Sequence, residues 1–215
     1  MSFAKKQILK HPIVFLIIRF IGYSIFIASL PNLIFTDFDR ITEESLTEYL
    51  QVMFLSLNIV IYYLAARLDP PQTGLILGIC CFWLICIIRE LDFFFDQYDP
   101  IFIATWPILI FLVILIFIYL IYQKRDGLSE ALADFISSQP GFGINMAGFL
   151  TIFIFSRFIA SKHFWNVLIE MGTPAFIRRF IEESFELLGY GLFLIAALEY
   201  LISRFQKNWN HHKET

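Results

Sequence analysis

Long apolar runs separated by short polar stretches dominate the chain. A transmembrane helix needs about 20 consecutive, mostly apolar residues. Six segments meet that length: residues 12–34, 48–66, 73–95, 101–122, 142–160 and 185–202. "RLDPPQ", Arg67 to Gln72, separates the second from the third, and "YDP", Tyr98 to Pro100, separates the third from the fourth. The pattern predicts an all-α fold, a polytopic transmembrane helical bundle of about six spans in a single integral membrane domain, 1–215. Between the fourth and fifth spans, the connection 123–141 has helical spacing in "GLSEALADFI" and is expected to lie on the membrane surface. Residues 161–184 are expected to form an interfacial segment on the other side, with Trp165 as a belt residue. Lys5, Lys6 and Lys10 precede the first run, as they would precede a signal peptide. That run is too long for a signal core and lacks a small-x-small cleavage pattern, so it reads as a helix.

Composition strengthens this picture. The chain is 58% hydrophobic and 18% aromatic, with 26 Phe and a mean hydropathy of +0.70. Only 16% of residues are charged, against about 25% in soluble domains. Such a chain partners a lipid bilayer. Its net charge of −3 gives no reason to expect nucleic acid. Cys80, Cys81 and Cys86 lie within one apolar run and read as packing residues.

Basic residues orient a membrane protein, because Lys and Arg accumulate in cytoplasmic connections. With the N-terminus inside, Lys5, Lys6, Lys10, Arg67, Lys124, Arg125, Arg204, Lys207 and Lys213 are cytoplasmic. The opposite side then holds Arg40, Lys162, Arg178 and Arg179, together with many of the acids. Both termini are expected in the cytoplasm. The compact size and the lack of organelle signals suggest a multi-pass protein of the cell membrane, expected to be a bacterial inner membrane.

Polar residues inside the spans change the reading further. "CIIRELDFFFDQYDP", Cys86 to Pro100, sets Arg89, Glu90, Asp92 and Asp96 at the end of the third span. An Arg, Lys or Asp at mid-membrane costs about 2.5–3.5 kcal/mol, whereas each Leu, Ile, Phe or Val returns about 0.3–0.6. Thirteen such apolar residues between Leu75 and Phe95 return about 4–8 kcal/mol on that scale. The charges would consume most of this if they faced lipid, so they are expected to be paired or hydrated. At 100° per residue, Arg89, Asp92 and Asp96 share a face, Arg89 can pair with Asp92, and Glu90 points to a neighbouring face.

Other spans carry matching groups. In the second, Glu44, Thr47, Glu48, Gln51 and Asn58 form a polar arc that Tyr62 continues. The sixth opens with "RRFIEESFELLGYG", where Arg179, Glu182 and Glu186 share a face, with Tyr190 nearby and Glu183 adjacent. The fifth supplies Arg157 and ends near Lys162 and His163. The candidate binding site or charge network is therefore Glu44, Glu48, Gln51, Arg89, Glu90, Asp92, Arg157, Glu183 and Glu186, near the extracytoplasmic boundary. Away from it, Arg19 is expected to snorkel to the cytoplasm. Glu199 is expected to hydrogen-bond a neighbouring helix on the face opposite Glu186. "EESLTEYLQVMFL" (Glu43 to Leu55) and "EESFELLGYGLFL" (Glu182 to Leu194) also echo one another and raise the reading of two duplicated hairpins.

No nucleotide loop, haem-binding His pair, zinc-protease motif or Ser-His-Asp arrangement occurs. No cofactor is identified and no residue is assigned as catalytic. A carboxylate-rich site suits a divalent cation such as Ca²⁺, Mg²⁺ or Mn²⁺. The weak ligand set would be Glu48, Glu90, Asp92, His163, Glu183 and Glu186, with Arg89 competing for the same charge. Three functions fit. The protein binds, and in one version transports, a small ion, solute or lipid headgroup. Alternatively, it is an accessory or assembly subunit whose ion pairs are structural, with a membrane-protein partner. In the third reading it is a membrane enzyme acting on a lipid-linked substrate at the outer leaflet. There Glu48 or Glu186 is the base, and Arg89 or Arg157 holds a phosphate. Oligomeric state is left open.

Overall fold

Within a bilayer no water is at hand to satisfy backbone N–H and C=O groups, so an apolar segment that crosses it does so as a helix. The computed structural model describes residues 12–36, 46–91, 105–137, 141–159, 161, 165–166 and 176–214, and no strand occurs among them. Seven longer helices follow one another in the described residues: α1 (Pro12–Thr36), α2 (Leu46–Leu68), α3 (Thr73–Glu90), α4 (Thr105–Gln123), α5 (Leu128–Ser137), α6 (Gly141–Ile159) and α7 (Phe176–Glu214), with a short 3-10 turn, Pro70–Gln72, between α2 and α3. Six of them, all but α5, are long and apolar enough to cross a membrane.

Contacts fix which helix ends lie together. Arg19, early in α1, meets Glu199, late in α7. Asp69, in the turn after α2, meets Arg204. Gly74, at the start of α3, lies against Lys124, just past the end of α4. These residues define one end of the bundle, the Arg204 end. Arg89 marks the other.

The centre of the bundle is α7. Its 39 residues extend about 58 Å at 1.5 Å per residue, nearly twice the hydrocarbon thickness of a bilayer. Leu187, Tyr190, Phe193, Ala196, Ala197 and Tyr200 along it are buried. Around it pack α2, α6 and α1, while α3 rests on α2 and α4 on α3. Trp83 of α3 reaches the core to stack edge-on against Phe193, with ring centroids 4.4 Å apart. The α6–α7 crossing depends on two glycines. A Cβ on Gly189 would stand 2.2 Å from Ile152 Cγ1, and one on Gly148 would stand 3.1 Å from the Gly189 carbonyl. Small residues let membrane helices approach this closely.

Several expectations are corrected. The helix that carries the sixth span does not begin at residue 185, because α7 is continuous from Phe176. "FIRRFIEESF" contains no Gly or Pro to stop a helix, and it spaces Arg179 and Glu183 as an i,i+4 pair. Trp165 is buried rather than placed in an aromatic belt, and its indole N–H donates to the Ile159 carbonyl. α5 packs one face against the bundle. Gly127, with φ of +86°, turns the chain into it, and α5 then buries Ala131 and Phe135. Phe135 packs on Tyr200, with centroids 5.3 Å apart. The duplicated-hairpin reading finds no matching pairing, since α6 lies along α7 whereas α1 leans mainly on α7 rather than on α2. α4 presents Ile108, Phe111, Leu115 and Ile118 outward.

A charged layer as the candidate functional site

Four helices bring charged side chains to the Arg89 end. The last turn of α3 supplies Arg89 and Glu90, and Glu90 sits inward at the boundary with α7. There it accepts hydrogen bonds from Arg89 Nη2 at 2.8 Å and from the Tyr190 hydroxyl at 2.7 Å. Arg89 Nη2 also lies 3.8 Å from Glu186 Oε1. From α6, Arg157 Nη2 donates to Glu186 Oε1 at 2.5 Å and Nη1 donates to Glu182 at 3.3 Å. The Ser156 hydroxyl completes the set around Glu186 at 3.2 Å. Glu186 is thus met from α3 and α6 together.

On the α2 side, Gln51 is fully buried and gives its Nε2 to Glu183 at 2.8 Å. Arg179 Nη2 donates to Glu48 at 3.3 Å, and its Nε lies 3.9 Å from Glu183. The layer therefore has two parts on adjoining faces of α7. Arg179, Gln51, Glu48 and Glu183 make one part, and Arg89, Glu90, Tyr190, Glu186, Arg157 and Glu182 make the other.

Exposure divides the layer by charge. The side chains of Arg89, Arg157 and Arg179 are between 39% and 46% exposed. Those of Glu48, Glu90, Glu182, Glu183 and Glu186 are between 6% and 19% exposed. The acids form the inside and the guanidiniums form the rim. A guanidinium has five N–H donors in a planar fork, and the ion pairs of each rim arginine with the described residues engage two nitrogens at most. With respect to the described residues, donor capacity is left on the outer edge. Each glutamate, in contrast, receives at least one donor from the protein.

The structure brings together seven of the predicted site residues: Glu48, Gln51, Arg89, Glu90, Arg157, Glu183 and Glu186. Glu44, Asp92 and His163 lie outside the described residues, so the expected Arg89–Asp92 pair lies there too. Among the described residues Arg89 turns instead to its chain neighbour Glu90 and to Glu186. Among those residues no three His, Cys, Asp or Glu side chains stand in metal-holding geometry. Arg179 does not serve the Glu182–Glu186 face read from the sequence, because it reaches across to α2.

No family model, curated protein or solved structure matches this chain. The site therefore rests on its own geometry.

The sequence pattern does not reveal every member. The sequence does not single out Ser156, which closes a π-helical segment, Thr151–Ser156, within α6, directly before the expected Arg157. A π turn adds a residue to the helical repeat and so re-aims the side chains beyond it, and no residue type in "TIFIFS" announces it. Arg179 and Tyr190 stand out in the sequence as neighbours of the acids but not as their partners.

A second cluster, at the Arg204 end, is also absent from the sequence reading. Arg204 Nη1 meets Asp69 at 2.9 Å and Asp134 at 2.5 Å. Its guanidinium carbon lies 4.5 Å from the Tyr200 ring centroid, and Gln72 donates to Asp134 at 2.8 Å. This ties the α2–α3 turn, α5 and α7 together. Nearby, Arg19 does not snorkel. It donates to Glu199 at 2.7 Å, and the Tyr23 hydroxyl donates to the same carboxylate at 2.6 Å. The expected partner helix of Glu199 is thus α1, and an otherwise little-covered helix is latched to the bundle.

Proposed function

We propose that the Arg89 end of the bundle binds the phosphate of an anionic lipid headgroup. In this reading both termini are cytoplasmic and the arginine rim faces the extracytoplasmic leaflet of a bacterial inner membrane. The observation that carries it is the inversion of exposure: half-exposed guanidiniums over enclosed carboxylates. The glutamates hold the arginine forks in place, and pre-organised forks lose less freedom when they engage a phosphate bidentately. A cation entering the layer would instead meet carboxylates already engaged by protein donors. The orientation is supported by the basic residues that gather at the Arg204 end, Arg67, Lys124, Arg125, Arg204 and Lys207, with Lys5, Lys6 and Lys10 preceding α1.

Glu186 is a weak choice as a catalytic base, because Arg157 and Ser156 both donate to the same oxygen. This weakens the enzyme reading in its Glu186 form. A second reading, an accessory subunit whose ion pairs only clamp helices, draws on every glutamate having a protein donor.

Thermal unfolding in detergent separates these two. Water-soluble short-chain phosphatidylglycerol should raise Tm, and the choline analogue should not. A ligand present at a hundred times its Kd stabilises by about 2.7 kcal/mol. Joint replacement Arg89→Gln and Arg157→Gln should abolish the response while the helices remain folded. An equal response to both lipids, or one that survives the double replacement, would leave only the clamp.

A further inference from the structure

Toward the Arg204 end lies a half-enclosed cavity of about 430 Å³. Its walls include Gly78 and Trp83 of α3, Phe117 of α4, Met146 of α6 and Phe193 of α7, and Phe135 of α5 closes it toward the Arg204 end. The wall is apolar. The Tyr62 hydroxyl and the Asn145 amide in it hydrogen-bond one another at 2.9 Å. Met146, Phe149 and Leu132 both line the cavity and are exposed. Because α4 packs chiefly on α3, and α6 packs on α7, the open side lies between α4 and α6, facing the hydrocarbon.

Apolar cavities do not hold water, and in a membrane the fluid at the open side is acyl chain. At roughly 30 Å³ for each methylene-sized group, taken as the share of one water in the liquid, 430 Å³ accepts on the order of a dozen groups. The entrance also suits a headgroup. Lys124 and Arg125, both exposed, lie in the chain between the lining residues Ile121 and Leu128. Lys124 lies against the lining residue Gly74 and so puts positive charge at the rim, where a phosphate would sit, while Arg125 stands 3.9 Å from Asp126.

We propose that one acyl chain of a membrane phospholipid, drawn from the leaflet at the Arg204 end, occupies this cavity between α3, α4, α5 and α6. The site is independent of the arginine rim at the opposite end, and the lipid completes packing that the protein leaves open.

Trp83 reports on the occupant. It is 3% exposed, so bulk lipid chains do not reach its indole. With Trp106, Trp165 and Trp209 changed to Phe, the protein is reconstituted in vesicles of phosphatidylcholine and phosphatidylglycerol carrying chains brominated at mid-length. Trp83 emission should fall by more than half relative to unbrominated vesicles. Filling the cavity with Ile79→Phe and Met146→Phe should restore most of it. Unquenched emission in the single-tryptophan protein would overturn the proposal. Quenching by an added brominated free fatty acid, but not by brominated phospholipid, would also overturn it. Native mass spectrometry separates this lipid from one at the arginine rim: with Arg89, Arg157 and Arg179 changed to Gln, protein released from mild detergent should still carry one phospholipid, and loss of all lipid from that variant would refute the assignment.

Discussion

The two ends of α7 each carry an arginine-centred cluster, and one is the other turned inside out. At the Arg204 end the arginine is the hub. Its side chain is 3% exposed, and around it Asp69 is 14%, Asp134 40% and Lys207 63% exposed. At the Arg89 end the acids are enclosed and three arginines form the rim. An enclosed guanidinium that faces two carboxylates and an aromatic ring can do little but hold helices together. A guanidinium held from behind, with its outer edge open, is placed to meet something else. On the proposed reading, the same residue types clamp at one end and bind at the other, and burial decides which.

The sharpest way to break this comparison is to remove the hub. Arg204→Gln leaves Asp69 and Asp134 without their cation, and removing one partner of a buried pair costs about 3–5 kcal/mol. We expect a large fall in Tm and loosening of α5, seen as faster proteolysis of the α4–α6 connection. At the other end, Glu186→Gln leaves Arg157 and Arg89 a neutral acceptor in place of a charged one, so the loss should be about 1–3 kcal/mol. The two sites should behave independently. Glu186 and Arg204 are separated along α7 by about 27 Å, so their double replacement should be additive to within about 0.5 kcal/mol. Glu186→Gln combined with Arg157→Gln should not be additive, with a coupling of about 0.5–3 kcal/mol by chemical unfolding. The smallest effect belongs to Arg157→Gln alone. Being half exposed, Arg157 should contribute under about 1 kcal/mol to stability, while the response to anionic lipid falls with it.

Much of this is legible in the chain. Hydropathy places the spans because crossing a bilayer demands a length that few other folds need. The layer is legible because charges deep in apolar runs must find one another, so Glu48, Arg89, Glu90 and Glu186 can be grouped from depth alone. Which charge meets which is not legible. That depends on helix rotation, which the π segment before Arg157 resets, and on α7 running unbroken through residues 176–184. Arg204 escapes for a different reason. An arginine near a helix end looks like one that snorkels to water, and only the fold shows Asp69 and Asp134 arriving from two other elements to enclose it. Arg19 misleads in the same way, since its partner Glu199 lies 180 residues further along the chain.

The central claim, that the arginine rim selects anionic headgroups, is tested most directly by counting lipids. The protein is released from nanodiscs of mixed phosphatidylglycerol and phosphatidylcholine and weighed by native mass spectrometry, beside a variant with Arg89, Arg157 and Arg179 all changed to Gln. The native protein should retain phosphatidylglycerol several-fold over its share of the disc, and the variant should fall back toward that share. Equal retention by the two proteins would contradict the account.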